Sequence, residues 1–167
     1  GLTPTIDHSL AARTLMFDIK NEKWSTEILK HAGIDQDLLA CPAPVGSVIG
    51  SVGENSLGFP KGIKMVAGLH DQAAGILGAG IKPGQSMLAT GTVVCLGVLL
   101  NQEVDPQVMA ENNLCRYPTA GEDFVSIAFN FTGGNALKWF RDNFAQDLTS
   151  QAEKENTDVY DLIMKNL

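Results

Sequence analysis

Ala67-Gly68-Leu69-His70-Asp71-Gln72-Ala73-Ala74-Gly75-Ile76-Leu77-Gly78-Ala79-Gly80 stands near the middle of the chain, inside an almost uncharged run. Across residues 65–100 the only formally charged side chains are Asp71 and Lys82. Lys82 adjoins Pro83-Gly84 and reads as an exposed turn residue. Asp71 lies where a short buried strand, 65–67, gives way to a helix over 72–80 built almost wholly of small residues. A carboxylate at that point faces the positive end of a helix dipole, which favours its ionised form. It can then orient or deprotonate a hydroxyl. The more ordinary reading is a plain N-cap aspartate, worth about 1 kcal/mol and without chemistry.

Downstream, strands over 86–89 and 93–100 flank Thr90-Gly91-Thr92, which reads as a tight hairpin. Its backbone N–H groups and two hydroxyls, free of large side chains, suit phosphate oxygens. The competing reading is a turn that needs glycine for positive φ. Thr132-Gly133-Gly134 follows a strand over 124–130 and precedes a helix over 135–144, so it is either a second phosphate-facing turn or a simple connection. Leu137, Trp139, Phe140 and Phe144 recur at helical spacing, which predicts a packed helix face.

Toward the N-terminus, 14–19 reads as extended and is followed by a turn over 20–23. Ser25 or Thr26 caps a helix that Gly33 ends. A short helical turn over 35–40 precedes a strand over 45–52 and a glycine-rich loop over 54–62. Residues 102–113 read as polar and irregular, 147–156 as a charged surface connection, and 159–167 as a final helix. Strands mixed with helices give an α/β class.

The 167 residues are 44% hydrophobic and 19% charged, ordinary for a folded chain holding one domain or pieces of two. A net charge of −7 without a Lys/Arg stripe argues against nucleic acid or an anionic membrane as partner. Cys41, Cys95 and Cys115 form no C-x-x-C, are widely spaced and odd in number, which supports neither a disulfide framework nor a zinc knuckle and fits a reducing compartment. Cys95 reads as a small buried hydrophobe. His8, His31 and His70 are too dispersed for a metal site. No nucleophile elbow or P-loop signature occurs. Glycines and Pro83 break the longest apolar run well before the ~20 residues of a membrane helix. The opening Gly1-Leu2-Thr3-Pro4-Thr5 lacks the pattern of a signal peptide, so a cytoplasmic chain is expected.

Four stretches, in this order and spacing, resemble the central part of an FGGY-family carbohydrate kinase of the xylulose- and gluconate-kinase kind. Asp7-His8-Ser9-Leu10-Ala11-Ala12-Arg13-Thr14 with Phe17-Asp18 is similar to the family's D-x-S-x-A-S-R-T…F-D segment. Residues 67–74 with 77–80 resemble its G-x-x-D-Q-A-A…L-G-A-G segment. Gly91-Thr92 resembles the phosphate hairpin. Gly134-Asn135-Ala136-Leu137-Lys138-Trp139-Phe140-Arg141-Asp142 resembles the G-x-x-[IL]-x-W-[LF]-R-D helix.

The resemblance implies an actin-like, ribonuclease-H-like fold, present as parts of two domains. Residues 1–80 would be the end of the sugar-binding domain and 81–167 the start of the nucleotide-binding domain, with the break near 81–85. It implies ATP and Mg²⁺ as cofactors and a sugar or sugar acid as substrate. Asp71 would be the base that takes the proton of the attacking sugar hydroxyl, and Gln72 would help hold the polyol. Thr92 and Gly91 would meet nucleotide phosphate, while Gly134 and Lys138 would line the nucleotide. The family's opening D-x-G-T hairpin and late Gly-Gly adenine segment are absent, which implies a fragment that is inactive in isolation and prone to self-association. His70 stands where the family often has Gly. The alternative is a non-catalytic actin-like protein for nucleotide-dependent assembly or sugar sensing.

Overall fold

The computed structural model describes residues 3–54 and 57–166, which form two compact units. One unit holds the described residues up to 87 together with 96–128; the other holds 88–95 and 129–166. In chain order the elements begin β1 (Thr5–Asp7), α1 (His8–Arg13), β2 (Phe17–Asp18), β3 (Lys23–Trp24) and α2 (Thr26–Ala32). A 3-10 turn over Gln36–Leu38 leads to β4 (Cys41–Ala43), β5 (Val48–Ser51), β6 (Lys64–Val66) and α3 (Asp71–Gly78). Next come β7 (Ser86–Thr90), β8 (Val94–Leu100), α4 (Pro106–Glu111), β9 (Cys115–Pro118) and β10 (Phe124–Asn130). Three helices close the chain: α5 (Gly134–Phe144), α6 (Gln146–Glu155) and α7 (Val159–Lys165).

A four-stranded sheet runs in the order β7-β8-β10-β9, with β10 and β9 antiparallel and Val125 opposite Tyr117. β1 pairs in parallel with β4, so Thr5 lies opposite Cys41. The pairs β2-β3 and β5-β6 are antiparallel.

In the first unit, Ala11, Phe17, Trp24 and Leu29 are buried together, with Ile6, Met16, Ile34 and Leu39 packed around them. Phe17 meets Trp24 edge-on at 5.8 Å, and the indole N–H donates to the Ala40 carbonyl at 3.0 Å, so the buried ring keeps its polar end satisfied. Ser25 caps α2 through the Ile28 N–H, and Gly33 ends it with φ +67°, as the sequence predicts. Gly97 on β8 lies so close to Ile76 of α3 that a Cβ there would overlap that side chain.

In the second unit, Ala145, Ala152, Leu162 and Ile163 are buried. Arg141 of α5 donates from Nη1 to the Tyr160 hydroxyl of α7 at 3.1 Å. Its hydrogen bond to Asp142 raises the guanidinium pKa above its ordinary value.

Several expectations need correction. Residues 14–19 are not one strand: the helix α1 ends with its C-cap at Thr14, and only Phe17–Asp18 is extended. Residues 102–113 contain α4, signalled by the N-capping Asp105 and by Pro106 in the first turn, where a missing N–H costs nothing. Residues 147–156 lie largely in α6, whose polar sequence hides it because Ala152 is its one buried side chain. α5 has no buried residue, and Trp139 and Phe144 are 59% and 64% exposed, so the anticipated packed face is open. The last helix ends at Lys165, and Leu167 falls outside the described residues. Cys95 is buried, as expected.

Candidate functional site

Asp7 N-caps α1, its Oδ1 accepting from the Ser9 and Leu10 amides at 3.0 and 3.1 Å. The Ser9 hydroxyl donates to that same oxygen and, with its lone pair, accepts the His70 backbone N–H at 2.7 Å. Asp7 and Ser9 are buried. A relay from the start of the chain therefore fixes the residue that precedes α3.

His70 occupies the N-cap position of α3 but makes no side-chain capping bond. Asp71 opens the helix one position later, so the plain N-cap reading does not describe it. Its Oδ1 accepts the Gln72 amide at 2.6 Å and lies 3.3 Å from His70 Nε2. Oδ2 takes no partner among the described residues, and the side chain is 81% exposed. The carboxylate is thus pinned on one oxygen and open on the other, in the geometry a proton acceptor needs.

Gln72 adds a second feature. Its Oε1 is buried without a hydrogen-bond partner among the described residues, as are His70 Nδ1 and Thr119 Oγ1. A buried acceptor left unpaired costs about 1–3 kcal/mol, so a donor from a bound hydroxyl would stabilise it.

In the other unit, the hairpin between β7 and β8 closes with the Gly91 N–H donating to the Val93 carbonyl at 3.1 Å. Gly91 is not among the glycines with positive φ, and a Cβ on it would meet only the Val93 carbonyl at 3.8 Å. The turn therefore does not require its glycine, against the simplest reading of Thr-Gly-Thr. Gly133 and Gly134 are different: a Cβ on Gly134 would sit 2.8 Å from the Gly91 carbonyl oxygen. This close approach lets the Gly134 and Asn135 amides donate to the Gly91 and Thr92 carbonyls at 2.7 and 3.3 Å. The hairpin caps α5 with main-chain oxygens, where the helix has no side-chain cap.

Hairpin and helix enclose a concavity of about 540 Å³, lined by Gly91, Thr92, Gly134 and Lys138 among others. All four residues assigned to the nucleotide from sequence meet there. Among the described residues of its wall, Lys138 is the one cation. Sequence reading missed Asn135 and Tyr160, which also line it, and missed the purpose of Ser9. The spacing Asp7-x-Ser9 at a helix start was its only signal. Among the described residues no group of three or more His, Cys, Asp or Glu is placed to hold a metal ion, and no helix is long and apolar enough to cross a membrane.

Residues 3–78 match the family model described as FGGY family of carbohydrate kinases, N-terminal domain. An autoinducer-2 kinase of Photorhabdus laumondii is 29% identical over 163 residues, spanning 95% of this chain and 30% of that protein. A gluconokinase of Bacillus subtilis is 27% identical, over 96% of this chain and 31% of that protein. The chain thus spans about 30% of the length of the curated relatives it matches. The fold superposes on a xylulose kinase from Rhodospirillum rubrum with a TM-score of 0.75 at 22% identity, covering 92% of this chain and 32% of that one. The likeness gives the fold as part of the actin-like architecture of sugar kinases. Sequence and fold agree: residues 3–78 match the N-terminal domain of the FGGY family of carbohydrate kinases, and the chain as a whole is similar to sugar kinases in sequence and in fold.

Proposed function

We propose that the full-length protein carrying this chain is an ATP-dependent carbohydrate kinase. Asp71 takes the proton of a sugar hydroxyl as that oxygen attacks the γ-phosphorus of ATP. The bond from that phosphorus to the β–γ bridging oxygen breaks, and ADP leaves. Gln72 receives a polyol hydroxyl at its unpaired Oε1. Thr92 and Gly91 face nucleotide phosphate, while Gly134 and Lys138 line the nucleotide, with the Lys138 ammonium opposing phosphate charge. Residues 1–80 belong to the sugar-binding domain and 81–167 to the nucleotide-binding domain; the family match ending at residue 78, where α3 also ends, supports that division. Mg²⁺ would accompany ATP, held by phosphate oxygens and water with one or two carboxylates at most. ATP as donor suits a cytoplasmic setting.

The observation that carries this reading is Asp71, held at Oδ1 and unpartnered at Oδ2, beside the unpaired acceptor of Gln72. An assembly protein has no need to orient a sugar hydroxyl. The test is ADP release by the full-length protein against autoinducer-2, gluconate, xylulose and other pentuloses, hexoses and sugar acids. Stimulation by one sugar, with that sugar phosphorylated, supports the kinase. Turnover indifferent to every sugar supports the non-catalytic actin-like alternative.

A further inference from the structure

His70 is more than the residue before the base. Its backbone is tethered by Ser9, and its ring meets Tyr117 edge-on at 5.4 Å. The Arg13 guanidinium carbon in turn lies 5.8 Å from the Tyr117 ring centre. These contacts leave the imidazole little freedom, and its side chain is only 17% exposed. Nε2 lies 3.3 Å from Asp71 Oδ1, whereas Nδ1 is buried with no hydrogen-bond partner among the described residues.

We infer that His70 is a positioning residue: its Nε2 edge, 3.3 Å from Asp71 Oδ1 and off the line of a hydrogen bond, holds the carboxylate by charge–dipole contact, in the tautomer that leaves Nδ1 bare. An ionised carboxylate only accepts, so the nitrogen facing it carries the proton. A bare Nδ1 buries one unpaired lone pair, whereas a protonated Nδ1 would bury an unpaired charged N–H, which costs more. With the Gln72 amide, the imidazole holds Oδ1 from a second side, and the lone pairs of Oδ2 remain available to a substrate hydroxyl. Loss of the ring would free the carboxylate to rotate, and near-attack geometry would be sampled less often.

The inference rests on the kinase reading, and its test separates the two. In the full-length protein with its responsive sugar, His70→Phe keeps an aromatic ring against Tyr117 and removes the N–H dipole. It is expected to lower kcat about tenfold or more while the KM for ATP stays within about twofold, because ATP binds elsewhere. His70→Gln restores an N–H near the Nε2 position and should recover kcat to within about threefold. Asp71→Asn should abolish turnover. An active Asp71→Asn variant overturns the kinase assignment of Asp71 and the positioning role with it. An inactive Asp71→Asn beside a fully active His70→Phe overturns the positioning role alone, as does a His70→Gln no better than His70→Phe. If His70→Phe fails to fold, ¹⁵N-histidine spectra of the wild-type protein decide. A protonated Nε2 with a bare Nδ1 upholds the inference, and the opposite tautomer overturns it.

Discussion

Ser9 and His70, 61 positions apart, share a hydrogen bond in which the Ser9 hydroxyl accepts the His70 amide at 2.7 Å. The same hydroxyl donates to the buried carboxylate that caps α1. One side chain therefore anchors two helix starts.

Ser9→Ala is expected to destabilise the fold by about 1–3 kcal/mol, since it strips partners from a buried amide and a buried carboxylate without refilling them. Chemical unfolding of the wild-type and variant chains measures this. A difference below about 0.5 kcal/mol, the size of an ordinary surface substitution, would remove the relay from the list of stabilising contacts.

Gly134→Ala and Gly91→Ala should part company. The first drives a methyl group into the Gly91 carbonyl and should cost about 1–3 kcal/mol. The second meets nothing closer than 3.8 Å and should leave stability almost unchanged. Paired melting curves suffice, and equal losses would mean that the hairpin and α5 do not approach as described.

Thr92→Val removes a hydroxyl from the concavity wall while nearly keeping side-chain volume. In the full-length kinase the KM for ATP should rise severalfold and that for sugar should hold. The reverse pattern in steady-state kinetics would assign this hairpin to sugar instead.

Asp18 organises the turn after β2. Its Oδ2 accepts from the Asn21 side chain at 2.7 Å and its Oδ1 from the Asn21 and Lys20 amides at 3.0 Å each. These bonds, that of the Asn21 side chain foremost, hold its pKa below the ordinary carboxylate value. A lowered folded-state pKa stabilises fully above the unfolded carboxylate value and is lost as pH falls through the folded one. Asn21→Ala should therefore move the Asp18 midpoint upward in a ¹³C carboxyl titration and weaken the acid dependence of stability. An unmoved midpoint would contradict the assignment.

Phe129 and Phe131 stack at 6.3 Å, and Trp139 meets Phe144 edge-on at 5.1 Å, all four side chains exposed. Apolar exposure on that scale promotes association. The 167-residue chain should associate increasingly with concentration in size-exclusion chromatography with light scattering, and Trp139→Lys with Phe144→Lys should reduce this. A monomer at every concentration would contradict it.

Glycines and abrupt changes of hydrophobicity made much of the architecture legible. The start of α3 beside Asp71, the Thr90–Thr92 hairpin and the strand-to-helix turn before α5 all follow from local chemistry. The concavity was legible as a set of residues too, because the hairpin and α5 carry short motifs. What local pattern cannot carry is distance. The tether on His70 comes from Ser9, and the ring's orientation from Tyr117 and Arg13, far apart in sequence. α6 escaped because burial of Ala152 leaves almost no apolar period to read. The α5 aromatics were misjudged because helical spacing says which residues share a face and nothing about what lies opposite it.

The main-chain cap on α5 has a consequence for how this region tolerates genetic change. Its capping groups are the carbonyls of Gly91 and Thr92, which every amino acid supplies, so no codon substitution can delete them. Damage comes only from added atoms. In a saturation scan, truncations around the cap should pass almost unnoticed, whereas at Gly133 and Gly134 even alanine should register, reversing the usual pattern in which loss of a side chain is the harmful event.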